Sequence, residues 1–466
     1  MPAAKYNGKS RGIGVRHYQA MMTFVGLSLA YSLRVNLSVG IVAMTDPETR
    51  EGIKALPWDM SHKGIIVSAF FWGYMMLPIL GGHLSRTVGP KYVMFGIMVI
   101  SSLATILCPY IALNYNWIVF CANRFVIGLA QGAFAPSLNV HIARWAPSSE
   151  KNRMFSCIFV GTQVGASLAM LGAGYLAASS WGWPSIFYVT GILSLIWSLF
   201  WFFLGADSPD SHPTISDCER DFIKSELIHS SDHSSTMRTP WMAVFTSRPV
   251  LAIYAGNFGY LWGYWTLAMM LPNYFSHVLG YDIKNNGLVS SLPYLLKCVL
   301  IVVISWITDF TNTRKIISLN VSRKVWNSIA LWGGAATLLG VSLTDSVMGA
   351  TILLTVSVAT GAGVFCGYCA NILDLSPNFA GVIMGVTNTF GTINGVLGPL
   401  VTGFIVQDET NRDQWMIAFY VCAATMFVGN LVYVLMGSVD VQPWNWPTPE
   451  AIEQKNSTEK EKKLYF

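Results

Sequence analysis

Charge is scarce in this chain. Of its 466 residues, 11% are Asp, Glu, Lys or Arg, where a soluble globular protein carries roughly 25%. Acidic residues are absent altogether from the centres of the apolar runs. Metal-ligand and disulfide spacings are missing as well. Eight cysteines are scattered, mostly inside apolar runs. The one Cys-x-x-Cys by count, Cys366 and Cys369 in FCGYCA, falls inside such a run, where small packing residues are expected. No HExxH, no GxxxxGK[ST] loop and no set of nucleophile, base and orienting residue is visible, which speaks against an enzyme. GTINGVLG mimics a nucleotide loop but lies in an apolar run, so packing explains it. Segments of ~10 alternating residues, the mark of a membrane β-barrel, are also absent. No cleavable leader is evident. The first 16 residues are polar and basic, and the first apolar segment is too long for a signal peptide, so it is expected to stay as a start-transfer helix.

What fills the sequence instead is apolar: 53% of residues are hydrophobic and the mean hydropathy is +0.47. Single cores stop growing near ~250–300 residues, so this is not one buried core. Many runs reach the roughly 20 residues needed to cross a bilayer. Twelve helical spans are predicted, at 17–44, 62–83, 92–112, 115–145, 153–179, 184–205, 249–279, 286–307, 325–345, 347–372, 379–406 and 414–437. A polar stretch, 206–248, divides them into halves of six, 17–205 and 249–437. Residues 1–16 and 438–466 are polar tails, the second ending in a solvated charge run. The fold class is an all-α membrane protein.

Orientation follows from the basic residues. If the N-terminus is cytosolic, that side collects 21 of the 29 Lys and Arg. The opposite side holds Arg50, Lys54, Lys63, Lys284 and Arg412. Arg34, Arg124 and Lys297 lie within spans. The bias puts both termini in the cytosol. Positive-inside loops account for the net charge of +5, so no nucleic acid partner is implied. The partner is the lipid bilayer.

The two halves echo each other. Span five, GTQVGASLAMLGAGYLAASS, is Gly-rich and leads into WGWPSIFYV. Span eleven, MGVTNTFGTINGVLGPLVTGFIV, is Gly-rich and leads into WMIAFYV. In each, a tryptophan precedes Phe-Tyr-Val by four residues (Trp183/Phe187 and Trp415/Phe419). Glycine faces let membrane helices approach closely. Two six-helix halves joined by a cytosolic loop is the plan of a transporter with its substrate site near the midplane.

Arg34, in YSLRVNLSVGIVAM, has about ten apolar-dominated residues on either side. A cation at such depth costs about 2.5–3.5 kcal/mol on insertion scales and usually faces a cavity or a partner. Arg124 starts a second intramembrane cation in span four, with Gln131 two turns further on the same face. Lys297 is mid-span in span eight. Three cations without an internal carboxylate form a cavity that should attract an anion. Asn257, Tyr260, Asn371 and Asn388 are candidate neutral donors. His83 and His141, at span ends, are expected to be surface residues, and His62 to lie in the outer loop.

With these residues in hand, the sequence resembles the anion transporters that include type I sodium/phosphate cotransporters, sialin and the vesicular glutamate transporters, within the major facilitator superfamily. The matches run from about residue 15 to 446. They include LRVNLSVGIVAM, SAFFWGYMMLPILGGHLSR, RWAPSSEKNRM, WGWPSIFYV, DSPDSHPTIS, SSLPYL, NILDLSPNFAGVIMGVTNTFGTI and VQPWNWP. Their style is nearest to the inorganic phosphate cotransporters of invertebrates.

The resemblance implies that Arg34 and Arg124 are the substrate-anion arginines. It makes Gly82, Arg86 and Gly89 a weakened gating loop after span two, with Ser85 at the usual acidic position. Asp309 and Arg314 match the corresponding loop after span eight. It also exposes departures. Val67 replaces a histidine, Gln131 and Ile127 replace glutamates, Ile372 replaces a histidine, and Tyr260 replaces an arginine of the glutamate transporters. Proton coupling needs a group that titrates near working pH, so these losses weaken proton symport and disfavour glutamate. Lys297 lies outside the family pattern.

The reading adopted is sodium-dependent cotransport of inorganic phosphate or an organic anion by alternating access. No cofactor is implied. Na⁺ is the coupling ion the resemblance suggests, and no pattern localises a metal site. A proton-coupled or facilitative organic anion carrier, and a non-transporting receptor or scaffold on the same fold, stay open as alternatives. The protein is expected to work as a monomer in the plasma membrane or an endolysosomal or vesicular membrane.

Overall fold

The computed structural model describes residues 14–46, 55–147, 150–231 and 239–446. Arg50, Lys54 and the charged segment from 447 onward fall outside them. Twelve helical spans cross the molecule among the described residues, each close to its expected position. Span one is Val15–Thr45. Span two is Met60–Tyr74 continued by Pro78–Thr87, and span three is Pro90–Asn114. Span four is Trp117–Gly132 continued by Phe134–Trp145, span five Lys151–Ala178 and span six Pro184–Leu204. Span seven is Arg248–His277 and span eight Ile283–Thr313. Span nine is Leu319–Ser328 and Gly334–Ser342 around a π-helical turn. Span ten is Val347–Thr360 and Tyr368–Leu375 around a 3-10 turn. Span eleven is Ala380–Ile405 and span twelve Arg412–Met436. Eight are long and apolar enough to cross a bilayer on composition alone. The other four, spans two, seven, nine and eleven, are interrupted or diluted by aromatic, Asn, Thr and Gly residues.

The polar 206–248 stretch is not structureless. It contains a helix at Asp217–Ser231, whose Ile223 is buried against Trp145 and Ala206. Glu219 on this helix accepts from the backbone N–H groups of Val15 (3.0 Å) and Arg16 (3.2 Å). An acidic side chain on the free N–H groups of a helix start both caps it and complements its dipole. The Arg16 guanidinium then bridges Glu219 at 2.9 Å and Glu150 at 2.7 Å. The connection between the halves is thereby fastened to the N-terminal half.

The face carrying this connection is called here the linker face, and its opposite the far face. Spans two, four, eight, ten and twelve all start at the far face. Each is capped there by a short polar side chain, Asp59, Asn116, Asp282, Ser346 or Asn411, which satisfies backbone donors that hydrocarbon cannot.

Near the far face the halves touch through two glycine pairs. A Cβ at Gly64 of span two would lie 2.8 Å from Pro399 O and 3.2 Å from Gly403 Cα of span eleven. A Cβ at Gly174 of span five would lie 2.7 Å from Gly287 Cα of span eight. Toward the linker face one side of span eleven is uncovered, while the other stays on span seven through Tyr254 and Phe390: a Cβ at Gly381 or Gly385 would meet nothing within 4 Å, and Met384 and Asn388 are exposed. On span two Met76, Leu80 and Leu84 are exposed as well. The molecule is closed at the far face and open at the linker face. The internal echo also survives in three dimensions. Trp183 packs on Phe187 at 6.1 Å and Trp415 on Phe419 at 6.3 Å, all four buried.

Candidate functional site

Arg34 and Arg124 are buried side by side at the middle of the N-terminal half, 6% and 1% exposed. Arg124 braces span one: its guanidinium donates to the carbonyls of Leu33 (3.4 Å) and Arg34 (3.2 Å). Arg34 is held by rings. Its Cζ lies 4.5 Å from the ring centres of Tyr31 and Tyr74, 5.1 Å from Phe70 and 5.7 Å from Trp265. Each such contact is worth about 0.5–2 kcal/mol, more as water is excluded. Trp265 belongs to span seven, so the cage closes across the two halves. The Nε atoms of both arginines are buried without a hydrogen-bond partner.

Lys297 stands on the other side of that seam. Its ammonium donates to the Tyr260 hydroxyl at 2.5 Å and lies 4.4 Å from the Tyr264 ring centre. Tyr264 meets Trp265 edge-on at 5.0 Å, so an aromatic row runs from Arg34 to Lys297. Among the described residues, none of the three cations has a carboxylate within ion-pair distance. Buried cations with free donors and no counter-charge provide half of an ion pair, and an anion supplies the rest.

Of the other expected residues, Gln131 is fully buried with both amide atoms unpartnered. Asn257 is satisfied locally: it donates to Thr387 O at 2.9 Å and accepts from the Tyr368 hydroxyl at 2.9 Å. Through Tyr368, whose ring is 6.4 Å from that of Tyr260, it backs the Lys297 pocket. Asn371 donates to the Tyr433 hydroxyl at 3.0 Å, toward span twelve. Asn388 is exposed on the open stretch of span eleven. The structure thus gathers Arg34 with Arg124, and Lys297 with Tyr260. It does not bring Asn371 and Asn388 to them.

In the segments that the resemblance matches to gating loops, Gly89 has φ 110°, and a side chain there would run into the Asp207 carboxylate, which accepts from Lys91 N at 2.9 Å. Arg314 stacks on Phe310 at 4.3 Å, and Asp309 is exposed.

Two sequence expectations need correction. His141 is not a surface residue. It is 2% exposed, 5.2 Å from the Trp201 ring, because the second segment of span four lays this face against span six. His62, expected in the outer loop, lies instead in the first turn of span two, beside the buried Lys63. The Lys63 ammonium contacts both Glu409 oxygens, at 2.7 and 2.6 Å. His277 Nε2 lies 2.8 Å from the same carboxylate. This cluster joins the halves at the far face. Burial pushes the Glu409 carboxyl up, but the His277 contact and the Lys63 charge outweigh it and hold it below the usual carboxylate range. Sequence reasoning missed the cluster and the aromatic cage. For the cage a signal existed, the density of rings in YLWGYW of span seven.

The fold is similar to that of solved transporter structures. A bacterial homologue of the human lysosomal transporter Spinster, in its inward-facing and occupied conformation, superposes with a TM-score of 0.71 at 12% identity, over 90% of this chain and 96% of that one. The D-xylose–proton symporter gives 0.63 at 15% identity, over 88% of this chain and 96% of that one. The sequence profile of the Major Facilitator Superfamily matches residues 18–399. The chain belongs to that superfamily and, within it, to the type I phosphate/anion cotransporters. Among its relatives is a Drosophila melanogaster protein named "Putative inorganic phosphate cotransporter", 34% identical over 96% of this chain and 88% of the relative. Human vesicular glutamate transporter 2 is 31% identical, over 95% of this chain and 77% of the relative. The type I family resemblance and the transporter fold read from the sequence are therefore borne out.

Proposed function

We propose that this chain carries small anions across a membrane by alternating access, with inorganic phosphate as first cargo and sodium as the coupling ion. The linker face, rich in Lys and Arg, is assigned to the cytosol, and the carrier acts as a monomer. The observation that carries the reading is the central set of Arg34, Arg124 and Lys297, buried at the seam of the halves with no carboxylate beside them among the described residues. The relatives named as phosphate cotransporters support the cargo. Val67, Ile127 and Ile372 are packed in apolar core, so the positions where related proteins titrate hold no proton carrier, and this favours a metal cation for coupling. The rings around Arg34 favour a second cargo, an organic anion with a flat carbon body.

Uptake by reconstituted vesicles of phosphate and of organic carboxylates, with Na⁺, pH and potential varied separately, tests the reading. Na⁺-driven phosphate uptake that is lost in Arg34→Ala is the expected result. A carrier that takes up neither anion class under any gradient overturns it.

A further inference from the structure

The linker face holds a second concentration of positive charge, outside the central site. Between the last segments of spans two and four lies a cavity of about 660 Å³, lined by His83, Arg86, Asn139 and Arg144 with Pro78 and Pro136 on its walls. That is within the usual range for small-molecule sites, about 300–1,000 Å³. The two arginines are neighbours: Arg144 Nη2 donates to Arg86 O at 3.3 Å. Among the described residues, no acidic side chain lines the cavity. Among the described residues, neither guanidinium has a carboxylate within ion-pair distance. Ser85, the residue before Arg86, turns inward instead, bonding to Ser137 at 2.6 Å and to Gly81 O at 2.7 Å. That bond ties the two walls together and fixes the spacing of the charges they carry.

We propose that this cavity is a second anion site, which takes a phosphate-bearing polyanion from the linker side. Two guanidiniums offer planar forks of donors that match phosphate oxygens, and the imidazole and the Asn139 amide add further donors. A concave wall of one sign of charge focuses the field on such a ligand. Orthophosphate would engage only part of the rim. A triphosphate or an inositol polyphosphate matches both the volume and the number of donors.

The position gives the site a consequence. Span eleven packs along span two near the far face and stands away from it here, with Gly381, Gly385 and Asn388 exposed. Closing the linker face brings these segments together, and a polyanion held by Arg86 and Arg144 opposes that approach. The ligand therefore acts as a brake on the return of the carrier, whichever anion the central site transports.

The test uses the full chain purified in neutral detergent, titrated calorimetrically with inorganic triphosphate. Saturable binding is expected, weakened at least tenfold in Arg86→Gln and in Arg144→Gln, since each removes charge-assisted hydrogen bonds to phosphate oxygens. Binding is expected to persist in Arg34→Ala, which keeps the outcome separate from the fate of the central site. A phosphoinositide headgroup presents the same chemistry. Nanodiscs containing phosphatidylinositol bisphosphate, assayed by lipid retention, distinguish the bilayer from solution as the source. Retention lost in the double variant supports the site with a lipid occupant. Triphosphate binding lost in the double variant supports it with a soluble one. Undiminished binding in a correctly folded double variant, or no binding of either ligand, overturns the proposal.

Discussion

At the scale of single residues, the central question is what neutralises Arg34. Its side chain has four ring faces around it and an Nε donor with no acceptor. Arg34→Ala is expected to lower kcat/KM for anion uptake by about 100-fold or more, because truncating one side of a buried charge contact costs on the order of 2–5 kcal/mol. Arg34→Lys should recover little, since an ammonium cannot replace a planar bidentate fork. Normal uptake by the alanine variant would show that the anion binds elsewhere. Lys297 yields a sharper test. Lys297→Met keeps the stem and removes the charge that Tyr260 and Tyr264 now hold. It should raise KM for divalent phosphate more than for a monovalent carboxylate, because Coulomb attraction strengthens where water is excluded. Equal changes for both anions would make the lysine a packing residue.

At the scale of elements, the two glycine crossings at the far face set how closely the halves approach. Gly64→Leu would push a side chain into Pro399 and Gly403. Overpacking of this kind costs typically about 1–3 kcal/mol, and it falls only on the state closed at the far face. The conformational balance should move toward the opposite state by roughly five- to a hundred-fold. A single cysteine at Thr402, buried beside this crossing, reads the shift as faster labelling by an impermeant maleimide, in a background lacking the exposed Cys157 and Cys218. Unchanged labelling would mean that the crossing does not limit closure. The helices themselves were largely legible in advance: length and hydropathy mark eight of them, and the pattern of apolar runs placed all twelve near their observed positions. Their breaks were not. The π-helical turn in span nine and the 3-10 turn in span ten answer to neighbours packed against them, which local composition does not encode.

At the scale of the whole molecule, closure at the far face depends on one carboxylate. Glu409 joins Lys63 of one half to His277 of the other, and its carboxyl is held below the usual value of 4.5 by those partners. A depressed carboxylate contributes stability above its ordinary pKa and loses it as pH falls through the depressed one. The far-face seal should therefore hold from neutral pH down past the ordinary carboxylate range and weaken only below it. Spin-label distances across the far face, measured against pH, check this. Glu409→Gln should open the face at neutral pH, since breaking one side of a buried pair costs on the order of 3 kcal/mol. A second expectation concerns coupling. Collapsing ΔpH at fixed potential should leave most uptake intact, because Val67, Ile127 and Ile372 present apolar side chains. Loss of most activity would place a proton carrier elsewhere in the molecule.

The sequence by itself determined the solvent this protein lives in, the count of its spans, their division into halves and the cations buried at their centres. These follow from transfer free energies that each residue carries wherever it sits. Tertiary structure alone decided which partners those cations meet. It set Trp265 against Arg34 and Tyr260 against Lys297, carried Glu409 to Lys63 across 346 positions of chain, and buried His141 behind Trp201. Such contacts depend on how helices distant in sequence cross in space, and glycine spacing constrains those crossings without naming the pairs.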